Sequence, residues 1–238
     1  MSESLYRKVL LKLSGEALMG AQTFGVERSA CERIAQSIKE IHLLGLEIGI
    51  VVGGGNIFRG AQATEFGFSR TPADHIGMLA TTINGLVLQQ SLTALGIESR
   101  VMSAIGDSVV EKYVWGQARH YMERGCVVIF VGGTGNPYFT TDTAAALRAC
   151  EMGSEILLKA TKVDGIYSED PKTNPKASKF SSLSYTEALT KRLNVMDAAA
   201  IALCRESQIP IYVFNLFEEG ALKKALCLQE GGTLVTGD

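Results

Sequence analysis

The chain has 238 residues and a formal net charge of −2, from 23 basic and 25 acidic side chains, a size within reach of one α/β domain. With 46 % apolar and 20 % charged residues, it has material for a core, which excludes wholesale disorder. The near-neutral balance also excludes a protein that coats nucleic acid through a broad basic face.

In chain order, the apolar run 9–13 predicts a buried strand ended by Ser14-Gly15, and 29–44 predicts a helix closed by Gly45. A second strand at 48–52 runs into Gly53-Gly-Gly-Asn56 and is followed by a helical pattern over 72–95, closed by Gly96. A strand at 98–102 and a helix at 110–124, closed by Gly125, lead to a strand at 126–131 that ends in Gly132-Gly-Thr-Gly-Asn136. A helix over 141–152 closed by Gly153 and a strand at 155–158 come next. Glycine suits the left-handed residue that ends a helix, and buried strands bounded by glycine are the parallel-sheet pattern.

The stretch 163–184, with Asp164-Gly165, Asp170-Pro171 and Asn174-Pro175, breaks the rhythm and predicts a long surface loop. Ser184-Tyr-Thr-Glu187 is a capping box that opens a helix. A helix at 197–208, a strand at 209–214, a helix at 218–228 and a strand at 233–235 complete the chain. Strand and helix alternate, so the expected fold is a three-layer α/β/α sandwich around a mainly parallel sheet, in one domain over 1–238.

The five cysteines are widely spaced and match no metal pattern, so they read as reduced thiols. No leader and no run near the roughly 20 apolar residues of a membrane span is found, and a cytoplasmic location is expected.

In a parallel sheet the loops after the strands share one edge, so three glycine loops there point to a phosphorylated ligand. Lys12, inside an apolar strand, would be costly to bury unless an anion met it. A snorkelling lysine is the bland alternative. Gly53-Gly-Gly-Asn-Ile-Phe-Arg-Gly60 sets Arg59 beside exposed amides, and Gly132-Gly-Thr-Gly-Asn-Pro-Tyr-Phe-Thr-Thr-Asp142 joins a glycine turn to two aromatics, two hydroxyls and a carboxylate. Thr140 and Thr141 would serve equally as helix caps. Asp142 fits a helix start through the dipole or a phosphate site through Lys12 or Mg²⁺. Asp74 fits a surface position or a ribose contact, Asp197 an N-cap, and His42 and His120 structural roles. Lys159, Lys162, Asp164 and Asp170 fit salt bridges or nucleotide contacts. The chain lacks Gly-x-x-x-x-Gly-Lys-[Ser/Thr], Gly-x-Gly-x-x-Gly and Gly-x-Ser-x-Gly, which disfavours P-loop kinases, dinucleotide oxidoreductases and serine hydrolases.

Taken together, Lys12-Leu-Ser-Gly15, the 53–60 loop, Asp74-His-Ile-Gly-Met-Leu-Ala-Thr81, the 133–142 loop, Lys159-Ala-Thr-Lys-Val-Asp-Gly165 and Val195-Met-Asp197 stand in an order that resembles the bacterial uridylate kinases, of the amino acid kinase fold. The resemblance runs from residue 8 to 236. It implies transfer of the γ-phosphoryl group of ATP, with Mg²⁺ held mainly through the ATP phosphates, to UMP. It implies ATP contacts from Lys12, Leu13, Ser14, Gly15, Gly55, Arg59, Thr161, Tyr167 and Asp170. For UMP it implies Gly54, Asp74, Thr134, Gly135, Asn136, Pro137, Tyr138, Phe139, Thr140 and Thr141. Lys12, Asp142 and Asp197 would organise the transfer.

The same resemblance implies a homohexamer, inhibition by UTP and activation by GTP. Two departures bear on the last: Thr23 stands where glycine is usual, and Cys126 where many relatives carry arginine, which weakens a triphosphate effector site. Other readings of the residues are a carbamate, glutamate or aspartate kinase, a non-catalytic nucleotide or oxyanion binder of this fold, and, least of all, a dinucleotide-dependent oxidoreductase.

Overall fold

The computed structural model describes residues 4–58, 66–106, 108–169, 171, 173–174, 176–193, 196–227 and 229–237. Arg59, Gly60, Asp170, Pro175 and Val195, named above, and residue 228 at the end of the last expected helix lie outside the described residues. The strands are β1 (Lys8–Leu13), β2 (Glu47–Val52), β3 (Ser99–Ser103), β4 (Glu111–Lys112), β5 (Val127–Val131), β6 (Ile156–Thr161), β7 (Ser182–Leu183), β8 (Ile211–Asn215) and β9 (Gly232–Val235). The helices are α1 (Gly15–Met19), α2 (Arg28–His42), α3 (Arg70–Ala94), α4 (Trp115–Glu123), α5 (Thr141–Met152), α6 (Tyr185–Thr190), α7 (Ala198–Glu206) and α8 (Ala221–Cys227).

The strands form one sheet in the order β4-β3-β5-β2-β1-β6-β8-β9-β7. Its pairs are parallel except for β8 with β9. Because strand side chains alternate between faces, the sheet divides the core in two. Val9, Leu11 and Leu13, with Ile48, Ile50 and Val52, pack on the face covered by α1, α2, α3 and α8. Leu10, Val51, Val128, Phe130 and Leu157 pack on the face covered by α4, α5, α6 and α7. This is the three-layer arrangement expected from the alternation of elements.

Helix ends follow the chemistry read from the sequence. Gly45, Gly96, Gly125 and Gly153 all take positive φ, from 65° to 79°, where a Cβ would be strained. Ser184 and Glu187 form both bonds of the capping box, Thr140 caps α5 through the Asp142 N–H, and Asp197 caps α7 through the Ala200 N–H.

Several elements differ from expectation, among them β7, which pairs with β9 at the end of the stretch expected to be loop. The helix expected over 110–124 begins at Trp115, because Glu111 and Lys112 pair with β3 as a short edge strand. Val110 packs on one face of the sheet while Ala118 and Met122 pack on the other, so a pattern that resembles one helix spans two elements. Strand β6 runs on to Thr161, past the predicted end at 158, because pairing with β1 and β8 on both sides carries it through Lys159. Helix α1 begins at Gly15, where only a glycine turn was expected.

The long helix α3 lies against the sheet at Gly85, where a Cβ would sit 2.5 Å from Val131 Cγ1. Alanine there gains about 1 kcal/mol of helix propensity but collides with a stiff β-branched side chain, which costs about 1–3 kcal/mol. We expect Gly85→Ala to be less stable than the native chain by about 1 kcal/mol in urea unfolding; equal or greater stability would show that the helix can shift outward freely.

Candidate active site

The sheet places two lysines side by side. Lys12 on β1 and Lys159 on β6 are direct partners in the parallel register. Both belong to the face that turns toward α5, since their neighbours Leu10 and Leu157 pack there. Asp142, in the first turn of α5, meets Lys12 Nζ with Oδ1 at 2.9 Å and Lys159 Nζ with Oδ2 at 2.9 Å. The three side chains are only 10–15 % exposed.

Burial pushes the Asp142 carboxyl up, but the Lys12 and Lys159 ammonium groups outweigh it and hold the carboxyl below its usual range. Burial lowers the Lys159 ammonium against the opposing pull of Asp142. Within this three-residue cluster two cations face one anion, which leaves one positive charge in excess before the more distant Asp197 is counted. Such a charge in a half-dry setting is costly unless an anion completes it, and the carboxyl ends of the central strands are where an α/β sheet accepts one.

Around this cluster the glycine loops pack backbone to backbone. The Gly53 N–H donates to Leu13 O at 2.8 Å. A Cβ on Gly15 would fall 2.3 Å from Asn56 Oδ1 and 2.9 Å from Gly53 O, and one on Gly54 would fall 2.7 Å from Gly77 O in α3. The Leu13 side chain is fully buried, so only its backbone faces the loops.

Beneath them lies an amide pair that the sequence did not announce. Asn84 Nδ2 donates to Asn56 Oδ1 at 2.7 Å and to Gly53 O at 2.7 Å, while Asn56 Nδ2 donates to Asn84 Oδ1 at 3.0 Å and to Gly25 O at 2.8 Å. All four amide hydrogens are used, which is what makes so buried a polar pair tolerable.

A cleft of about 260 Å³ opens beside the loops. Gly54, Asp74, Thr134, Phe139, Thr140 and Thr141 line it, and so does Gly55. Gly135, Asn136, Pro137 and Tyr138 belong to the same loop without lining the cleft. Tyr138 takes φ of 73°. Its N–H donates to Asp74 Oδ2 at 2.7 Å, and its ring lies 5.3 Å from the Arg70 guanidinium, which also binds Asp74.

A second cleft, of about 280 Å³, follows β6, with Gly165, Ile166, Tyr167, Pro171 and Leu193 in its wall. Thr161 does not line it; its hydroxyl donates to Val163 O at 2.6 Å. The Tyr167 hydroxyl donates to Asp164 at 2.8 Å. Ser14 precedes α1 without a side-chain cap bond.

Asp197 accepts from the hydroxyls of Thr140 and Thr143, the latter at 2.7 Å, so it ties α7 to the start of α5. Its charge still reaches Lys159 and favours that ammonium. Lys159, which the sequence left open between salt bridges and nucleotide contacts, was not among the residues expected to organise the transfer. The signal was present: like Lys12, it is a lysine in an apolar strand.

The family model for the amino acid kinase family matches residues 7–215. The chain belongs to the amino acid kinase family. Within the family it is similar to the uridylate kinase of Protochlamydia amoebophila (strain UWE25), with 56 % identity over 232 residues, 96 % of this chain and 92 % of that protein. Its fold is similar to the crystal structure of a UMP kinase from Bacillus anthracis, at a TM-score of 0.94 and 42 % identity over 98 % of this chain and 97 % of that one. A UMP kinase from Ureaplasma parvum gives 0.92 and 38 %, over 98 % and 99 %. Against the family background, Cys126 is buried at the start of β5, and burial pushes its thiol up to about 11, so no charge stands at that position near neutral pH.

The Asp142 carboxyl is held below its ordinary value of 3.8 in the folded chain. Its stabilising contribution is therefore complete above 3.8 and is lost as the pH falls through the lowered folded value. Asp142→Asn leaves two buried ammonium groups facing a neutral amide. We expect it to cost about 3–5 kcal/mol at pH 7 in denaturant unfolding, with the gap from the native chain narrowing in acid below pH 3.8. A gap independent of pH would assign the loss to packing rather than charge.

Proposed function

We propose that the protein transfers the γ-phosphoryl group of ATP to UMP, giving UDP and ADP, with the whole chain acting as one catalytic domain. The observation that carries the reading is the Lys12–Asp142–Lys159 cluster, with its surplus positive charge at the carboxyl edge of the sheet. The cleft that Thr141 lines begins one residue before Asp142, and the cleft after β6 begins at Val163, four residues past Lys159. The uridylate and UMP kinases that the chain resembles over nearly its full length support the choice of acceptor.

In this reading UMP occupies the first cleft. Asp74 holds the ribose, Gly54 approaches the phosphate, and the 134–141 loop wraps the nucleotide. ATP lies with its adenosine in the second cleft, against Tyr167; the resemblance adds Thr161, at the end of β6, and Asp170 to its contacts. Its phosphates run along Lys12, Leu13, Ser14, Gly15, Gly55 and Arg59. A phosphate oxygen of UMP attacks the γ-phosphorus, a new P–O bond forms in line, and the bond to the β–γ bridging oxygen breaks with ADP carrying the charge away. An attacking phosphate is already ionised, so no general base is required. The chain contributes position and positive charge.

Asp142 orients both lysines, and Asp197 braces the loop through Thr140 and Thr143. Both oxygens of Asp142 face ammonium groups, so Mg²⁺ would be held mainly through the ATP phosphates and would supply further positive charge there. We further propose a cytoplasmic homohexamer inhibited by UTP.

ADP release with ATP·Mg²⁺ tests the reading when UMP, CMP, dUMP, carbamate, glutamate and aspartate are offered in parallel. UMP should be turned over fastest. Another preferred acceptor would replace the substrate, and no release from protein that binds UMP would favour a non-catalytic binder. Lys12→Ala should lower kcat by roughly 10²–10³-fold, the scale of losing one charge-stabilising donor, while KM for UMP changes little; near-normal turnover would remove Lys12 from the transfer step. With Thr23 and Cys126 at the effector positions, added GTP should leave turnover unchanged, and clear activation would show that neither substitution matters.

A further inference from the structure

We propose that Thr233 is a positioning residue for the cleft after β6, acting as a hydrogen-bonded wedge between the two arms of the 163–181 segment. The proposal rests on reading that cleft as the ATP site. The two arms run antiparallel in a single register. Tyr167 bridges Lys179, the Ser168 N–H donates to Ser178 O at 2.9 Å, and the Phe180 N–H donates to Ile166 O at 2.9 Å.

In an antiparallel pair of this kind the facing residues exchange two bonds, so Ile166 N–H would be expected to reach Phe180 O. Here the second bond runs through a side chain. Thr233 Oγ1 accepts from Ile166 N–H at 2.9 Å and donates to Phe180 O at 2.5 Å.

Thr233 is fully buried on β9, where it pairs with Val213 of β8. It does not line the cleft; Gly165, Ile166, Tyr167 and Ser168 do. The wedge therefore sets the wall without touching what the cleft holds. The approach requires glycine at 165, because a Cβ there would lie 2.6 Å from Thr233 Oγ1 and 2.7 Å from Lys179 Cε. Leu234 N–H also donates to Ser181 O at 3.1 Å beside the wedge, whereas the side-chain ties on this part of the hairpin, Asp164 with Lys179 and with the Tyr167 hydroxyl, involve partly exposed groups and are screened by water. The Thr233 bonds are shielded, and losing the hydroxyl leaves the buried Ile166 N–H without an acceptor.

Thr233→Val keeps the shape and removes the hydroxyl, whereas Thr233→Ser keeps the hydroxyl and removes the methyl. Titration with a fluorescent ATP analogue should show roughly tenfold weaker binding for the valine variant, the scale of one or two lost hydrogen bonds. The serine variant should bind within about twofold of the native chain. Steady-state kinetics should place the loss in KM for ATP and leave KM for UMP unchanged.

Native affinity in the valine variant would overturn the proposal. So would serine as weak as valine, which would assign the effect to methyl packing, or an equal rise in both KM values. If the valine variant does not fold, amide exchange in the native chain decides: slow exchange at Ile166 supports the wedge, and exchange as fast as an open loop overturns it. The analogue titration needs no acceptor. Failure of the native chain to phosphorylate UMP would thus count against the acceptor assignment and leave this readout intact.

Discussion

A carboxylate shared by two lysines on adjacent strands constrains much of this molecule. Lys12 and Lys159 are register partners, so their ammonium groups would repel each other at short range in a poorly solvated place. Asp142 makes the pairing possible only if α5 starts at that level of the sheet. Thr140, capping α5 through the Asp142 N–H, fixes that start, and Asp197 holds Thr140 and Thr143 from α7. The helix layer on one face of the sheet is thereby set by the need to neutralise two strand side chains. Within the cluster one positive charge remains, tempered by the more distant Asp197 carboxylate.

The glycine loops answer a different constraint, which is backbone crowding. The 13–15 and 53–55 segments come too close for a side chain at Gly15, and α3 comes too close to the second loop for one at Gly54. The reciprocal amides of Asn56 and Asn84 lock that contact to α3 and to Gly25. Asp74 rides on the same helix. The Asp74 carboxylate in the first cleft and the glycine loop are thus held by one helix rather than by two independent loops, which is the arrangement that positional catalysis requires.

Much of the fold was legible because the sheet is buried on both faces, so its long strands read as apolar runs and its helices end in glycine. What was missed has local causes. Two-residue strands β4 and β7 carry too little pattern to show, and Val110 blended into the helix that follows. Strand β6 was cut short at its lysine, which concealed that Lys159 stands beside Lys12. Lys12 itself was legible because a cation in an apolar strand has few uses. Asn56, Asn84 and Thr233 were not, since an amide pair or a bridging hydroxyl depends on partners 28 to 67 residues away, which no spacing rule reports.

The reach of Thr233 has a bearing on how the chain assembles. The hairpin it braces is synthesised some fifty to seventy residues before its brace, whereas β1, β2, β3, β5, β6 and the helix bearing Asp142 are all complete by Thr161. Long-range closures of this kind are slow and come late. On a growing chain, the lysine pair and the first cleft can form while the second cleft still has one unanchored wall. The last strand to emerge then inserts beside β8 and supplies the missing hydroxyl, so the wall of the second cleft is the last part of the molecule to be fixed.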